Sequence, residues 1–268
     1  MIKADQITSC YIGPQISPEQ FVAEHIFMFL IKGTINGYDG HRHYQLKAGE
    51  CCLIRKNNLV RYNKQKDNNE FEKVVVVLDE MFLKQFQQKH HKHPVHGMSN
   101  QAFYDIGKSK LVTSFLQSLS PYYNVAGQIG ADLANLKREE LLLILLKINP
   151  SLENILFDFG MPEKIDLEAF MNRNFRFNAA IQRFAFLTGR SLTAFKQDFK
   201  KIYNEPPGRW LIKKRLKEAY FLMDKQQLKA TEVYLEVGFE DLSHFSFAFK
   251  KFFGFPPTQL PDAGKNSS

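Results

Sequence analysis

The chain has 268 residues, 44% of them hydrophobic and 25 of them Phe, enough for about two domains that each bury a core. No run approaches the ~18 apolar residues a membrane helix needs; the richest, Leu141 to Ile148, is short and carries Lys147. The formal net charge of +8 is unevenly placed: 18 Lys/Arg face 12 Asp/Glu from Met161 onward, against 18 and 16 before it. Basic charge gathered in one domain suggests a polyanionic partner, because cations that neutralise phosphates release condensed counterions. The first residues, Met1-Ile2-Lys3-Ala4-Asp5-Gln6, lack the order of a signal peptide, and three cysteines do not make a disulfide framework. A reducing cytoplasm is the expected setting.

Through about residue 80 the pattern is that of strands. Ile26 to Ile31 is an apolar run that ends at Lys32-Gly33-Thr34-Ile35-Asn36-Gly37, where glycines signal a turn. Tyr44 to Leu46 and Cys51 to Ile54 flank a second turn, Lys47-Ala48-Gly49-Glu50, and Val74 to Leu78 is a further strand. Short strands at this spacing indicate a small sandwich or barrel. Met81, Phe82 and Phe86 then fit a short helix, followed by the polar loop Lys89-His90-His91-Lys92-His93-Pro94. Ala131 to Ile148 has helical spacing and stops at Asn149-Pro150, since the residue before proline disfavours helix. Beyond Ile165 short capped helices dominate, which places a boundary near Gly160-Met161-Pro162.

An internal repeat occupies the last hundred residues. Phe199-Lys200-Lys201-Ile202-Tyr203-Asn204-Glu205-Pro206-Pro207 recurs fifty residues later as Phe249-Lys250-Lys251-Phe252-Phe253-Gly254-Phe255-Pro256-Pro257. Asn204 and Gly254 occupy equivalent places, and both tolerate the left-handed conformation that closes a helix. Ahead of each copy lies a shorter helix and a glycine turn. Ala180 to Leu187 leads to Thr188-Gly189-Arg190-Ser191, with Ser191 as the next N-cap. Ala230 to Val237 leads to Gly238-Phe239-Glu240-Asp241, with Asp241 as the cap. Helix, glycine turn and capped helix form the helix-turn-helix outline, whose second helix enters the major groove. Between the copies, Arg209 to Met223 reads as an amphipathic helix of roughly 22 Å bearing Lys213, Lys214, Arg215 and Lys217. A duplicated hairpin in a plain helical bundle would share the periodicity, but not the paired caps and the basic linker.

These residues resemble the AraC/XylS-type bacterial transcription regulators. The second unit carries the clearer likeness, in Val237-Gly238-Phe239, Ser243-His244-Phe245, Ala248-Phe249-Lys250-Lys251, Phe253-Gly254 and Pro257. The first contributes Ala185, Gly189, Ser191, Phe195, Phe199-Lys200, Pro207, Arg215 and Ala219. The resemblance implies an α+β chain of two domains. Residues 1–160 are expected to form a cupin-like β-barrel with appended helices, used for sensing or dimerisation. Residues 161–268 are expected to form an all-α DNA-binding domain with two helix-turn-helix units joined by a linker helix. His43 to Glu50 and Cys51 to Arg55 carry the weaker N-terminal likeness. Arg55-Lys56-Asn57-Asn58 and Glu139-Glu140-Leu141 to Leu146 look similar to the branch controlling type III secretion genes, whose regulation is thought to run through protein partners. Two positions depart from the family: Tyr234, where a small residue is usual, and Phe247, where an Arg is usual. The second departure implies that the second unit contacts mainly backbone.

By resemblance, Thr193, Lys196 and Gln197 occupy the groove-facing positions of the first recognition helix, and Ser243, His244 and Ser246 those of the second. Gln suits adenine and Lys suits guanine. Arg215, Lys250 and Lys251 are expected at phosphates, which position a protein without specifying sequence. The expected partners are double-stranded promoter DNA, RNA polymerase, a small molecule or protein effector at the N-terminal domain, and a second copy through Leu136 to Ile148. That leucine stripe reads equally as intramolecular core. No cofactor or metal is expected. His41-Arg42-His43 lacks a carboxylate at cupin spacing, with Glu50 seven residues past His43, and His90, His91, His93 and His96 read as a surface loop. Cys51 and Cys52 fall on opposite faces of one strand, so one at least is core. No catalytic signature is present. The competing readings are a protein-interaction module with weak, unspecific DNA contact and, last, a cupin-type enzyme.

Overall fold

The computed structural model describes residues 7–10, 20–91 and 101–260. They divide into two compact units, one ending at Gly160 and the other running from Met161 with Gln20 counted to it. His93 and His96 of the histidine loop lie outside the described residues.

The first unit is built on antiparallel strands: β1 (Ile7–Cys10), β2 (Phe21–Val22), β3 (His25–Lys32), β4 (Thr34–Tyr38), β5 (His43–Lys47), β6 (Cys51–Ile54), β7 (Asn58–Leu59), β8 (Arg61–Gln65), β9 (Glu72–Leu78) and β10 (Phe103–Asp105). The sequence leads one to expect a small sandwich or barrel. The strands form a five-stranded sheet ordered β1-β9-β3-β6-β10, a three-stranded sheet ordered β5-β4-β8, and the pair β2-β7. Both faces of the larger sheet are buried, which is why Val74 to Leu78 reads as a continuous apolar run rather than an alternating one. Phe27, Cys51, Leu53, Val74 and Val76 pack with helices, whereas Met28, Leu30, Cys52, Ile54 and Val75 pack with Ile35 of the smaller sheet.

The glycine-rich segment after β3 is shorter as a turn than its composition suggests. Only Gly33 turns, at φ +92°, and Thr34 already begins β4. A Cβ on Gly33 would lie 2.5 Å from the Gln65 carbonyl oxygen, so glycine is required by space as well as by backbone.

Helices α1 (Glu80–Lys89), α2 (Lys110–Leu119), α3 (Ala131–Ile148) and α4 (Glu153–Leu156) cover the other face of the larger sheet. Asp79 caps α1 by accepting from the Phe82 backbone N–H at 3.0 Å. It also pairs with Arg138, whose guanidinium is buried over the Phe82 ring at 4.1 Å. The leucines of α3 divide: Leu141, Leu142, Leu145 and Leu146 enter the core, while Leu133, Leu136 and Leu143 are exposed. The stripe expected to pair two copies is therefore mostly intramolecular core.

The second unit is all helical: α5 (Leu167–Asn174), α6 (Ile181–Leu187), α7 (Leu192–Tyr203), α8 (Pro207–Gln226), α9 (Ala230–Glu236) and α10 (Leu242–Phe253). Pro207 stands at the first position of α8, where its missing N–H costs nothing, so the double proline ends one helix and starts the next. With 20 residues α8 spans ~30 Å, about a turn and a half longer than its amphipathic pattern suggests.

Candidate nucleic-acid interface

Two helix pairs, α6–α7 and α9–α10, repeat one construction. Each second helix has twelve residues, an N-cap whose side chain accepts a backbone N–H, and a left-handed closing residue. Ser191 Oγ accepts from Ala194 at 3.2 Å and Asp241 from His244 at 2.6 Å; Asn204 (φ +53°) and Gly254 (φ +88°) close the helices. Basic residues in the last turn, Lys200-Lys201 and Lys250-Lys251, suit the negative end of the helix dipole.

The turns differ in what holds them. Gly189 (φ +65°) sits against the backbone of Glu163, where a Cβ would come within 2.4 Å. Arg190 locks this first turn by donating to the carbonyls of Thr188 and Ile165 at 2.7 and 2.9 Å and to Asp198 at 3.1 Å. That contact holds the Asp198 carboxyl below its ordinary pKa. The second turn runs one residue longer before its cap. It is held by Phe239, buried edge-on to Phe245 with ring centroids 5.2 Å apart.

Both second helices bury the same face. Phe195, Phe199, Phe245 and Phe249 are fully buried, and Trp210 packs edge-on to Phe199. Opposite them, Thr193, Lys196, Gln197, Lys200 and Lys201 on α7 are exposed, as are Ser243, His244, Lys250 and Lys251 on α10, with Ser246 partly so. Each helix thus presents one cationic face, polar on α7 and carrying the exposed Phe247 on α10. Its lysines are held in no ion pair among the described residues, and its fixed end is rigidly capped. Such a face can approach phosphates and base edges without first breaking internal contacts.

Arg215 is not among the outward cations: the guanidinium expected at phosphate meets backbone carbonyls instead. Its guanidinium is half-buried and donates to the carbonyls of Phe175, Phe177 and Gly238 at 2.7, 2.8 and 2.9 Å. Burial pushes its pKa down to about 10, so it stays charged at neutral pH. The rest of the expected basic linker is also largely engaged. Lys213 pairs with Glu205 at 2.7 Å, and Lys214 lies over the rings of Phe175 and Trp210. Tyr234 is partly buried against the core of α8, α9 and α10.

In the first unit, a cavity of about 460 Å³ is lined by Met28, Tyr44, Leu46, Cys52, Tyr62 and Phe103, among others, so residues of both sheets contribute. That volume lies in the range of small-molecule pockets. Tyr44 donates to Asp39 at 2.7 Å and packs against Phe103 with the rings tilted by 36°. Cys51 and Cys52 are both buried on opposite faces, and burial pushes each thiol up to about 12, which leaves them unreactive. Among the described residues no group of three or more His, Cys, Asp and Glu is placed to hold a metal. His90 instead bonds Glu139 at 3.0 Å and stacks on Phe86. Arg55 and Lys56 also have structural partners, Asp158 at 3.0 Å and Glu80 at 2.8 Å.

Residues 184–262 match a helix-turn-helix domain family, and residues 25–155 match the ExsA N-terminal regulatory domain. The chain is 24% identical to the HTH-type transcriptional regulator ExsA of Pseudomonas aeruginosa over 265 residues, 95% of this chain and 92% of that one. It belongs to the AraC/XylS-type regulators. The virulence regulon transcriptional activator VirF of Yersinia enterocolitica is 30% identical over 132 residues, about half of each chain. A crystal structure of an apo ToxT variant from Vibrio cholerae aligns over 96% of this chain and 97% of that one, with a TM-score of 0.44 and 13% identity. This AraC/XylS-type protein is a DNA-binding transcription regulator. No helix among its described residues is long and apolar enough to cross a membrane.

Proposed function

We propose that this regulator is a cytoplasmic transcription activator that reads promoter DNA through α7 and anchors itself through α10. Thr193, Lys196 and Gln197 contact bases; Lys250 and Lys251 contact phosphates, with Ser243, His244 and Ser246 at the second groove. The observation that carries this reading is the repeat of one capped helix with the same buried Phe pair and the same outward lysines. Two such helices suit successive major grooves, about 34 Å apart on one duplex face.

The N-terminal unit controls the second. Its cavity, where Lys47, Glu50, Asp105 and Lys108 join the apolar side chains, suits a small effector with both polar and apolar groups, while the match to the ExsA regulatory domain keeps a protein effector in view. A homodimer through α3 would use Leu133, Leu136 and Leu143, the leucines that the core leaves exposed. Activation then proceeds by contact with RNA polymerase. Hydroxyl-radical protection of a bound promoter by the full chain is the test. Two protected blocks one helical turn apart are expected, and uniform protection or none would contradict the reading.

A further inference from the structure

Phe247 is the most exposed aromatic residue of α10, with 69% of its surface open to solvent. At ~100° per residue it lies about 200° from both Phe245 and Phe249, directly opposite the buried line. Ser243 and His244 precede it by four and three residues, Lys250 and Lys251 follow by three and four, and all four are exposed. The ring therefore occupies the centre of the cationic face. The other exposed ring, Phe252, lies about 140° round the helix, so the two do not form a continuous apolar strip of the kind that docks proteins.

The repeat supplies a second, independent argument. The two helices are equal in length and equivalently capped at an offset of fifty, so Phe247 stands where Gln197 stands in the first unit. A position that carries a hydrogen-bonding side chain in one copy carries a ring without polar atoms in the other. Thymine is the base that offers an apolar group, its C5-methyl, in the major groove.

We propose that Phe247 reads thymine, its ring packing on the C5-methyl group. The absence of an Arg at this position then changes what the second unit reads rather than leaving it blind to sequence. This inference rests on the DNA-binding reading above.

The test uses the full chain and a duplex recovered by selection from a random-sequence library. Each thymine of the second half-site is replaced singly by deoxyuridine, which removes only the methyl group. The wild type is expected to weaken about fourfold at one or two positions, the worth of one buried methyl-sized group. Phe247→Ala is expected to bind the parent duplex more weakly and to lose that methyl dependence, while its circular dichroism is unchanged. Binding in which the wild type ignores every replacement, or in which Phe247→Ala keeps the methyl dependence, overturns the inference and leaves the DNA-binding reading intact. Unchanged duplex affinity of Phe247→Ala with lost promoter activation would assign the ring to a protein partner and also overturn it. Failure to recover any preferred duplex would overturn both.

Discussion

Arg215 donates to the carbonyl of Gly238 at 2.9 Å, so the linker helix α8 is bonded to the turn of the second helix-turn-helix unit. The same guanidinium reaches Phe175 and Phe177 on the approach to the first unit, which makes one side chain a shared strut for both. Replacing it with Ala leaves three carbonyls without this donor. Hydrogen bonds to a charged group are worth about 1.5–3 kcal/mol each when other partners cannot be found, and they do not add fully, so a total loss of about 3 kcal/mol is expected. Urea unfolding of Arg215→Ala and Arg215→Lys checks this. Both should be destabilised, since Lys cannot make the fork. If Arg215→Lys kept full stability and lost only DNA affinity, the residue would be a phosphate ligand after all.

Phe249 is fully buried at the centre of the α8–α9–α10 core. Phe249→Ala should cost about 3–5 kcal/mol and unfold the second unit before the first. Limited proteolysis would show cleavage in the last seventy or so residues appearing first, and a uniform loss of resistance would contradict the division of the core.

Replacing Lys196 and Gln197 together with Ala removes two exposed side chains without touching the buried face of α7. The double variant should fold normally and lose sequence discrimination while retaining salt-dependent, unspecific binding through the remaining lysines. Selection of the same sequence motif as the wild type would remove α7 from base reading.

His25 is buried at the start of β3, and burial, with Lys56 and Arg55 nearby, depresses its pKa to about 3. Its folded pKa lies below the unfolded value of about 6.5. Between these values the unfolded chain binds a proton that the folded chain does not, so stability falls as pH falls from about 6.5. The loss from this one group should be about 2 kcal/mol between pH 7 and pH 5, above the range where ordinary carboxylates titrate. Urea unfolding at pH 7 and pH 5 should show the loss in the wild type and much less of it in His25→Asn. Equal pH dependence in both would remove His25 as its source.

How far the residues disclose the fold depends on whether a signal is local. The C-terminal helices follow from caps, glycine turns and a repeat, all of which act within a few residues, and α7 and α10 begin and end where those signals stand. β10 and α2 carry no comparable local mark: Phe103 is placed by β6 and by the Gly37 backbone against its ring. β4 was hidden because Gly33 and Gly37 both look like turn residues, although Gly37 is there to let the Phe103 ring approach. The role of Arg215 could not be read from spacing either. A basic residue on an amphipathic helix looks like a phosphate ligand until the carbonyls it meets, 23 to 40 residues away, are known. The exposure of Thr193, Lys196 and Gln197 was legible because their neighbours Phe195 and Phe199 fix which way the helix faces.

The most direct test of the central claim is recovery of fragmented genomic DNA by the full chain at two salt concentrations, followed by sequencing. A shared motif of two blocks about one helical turn apart is expected, with affinity falling ~10³-fold or more between 50 and 200 mM salt if six or more phosphates are contacted. Fragments that share no motif, or binding that ignores salt, would contradict it.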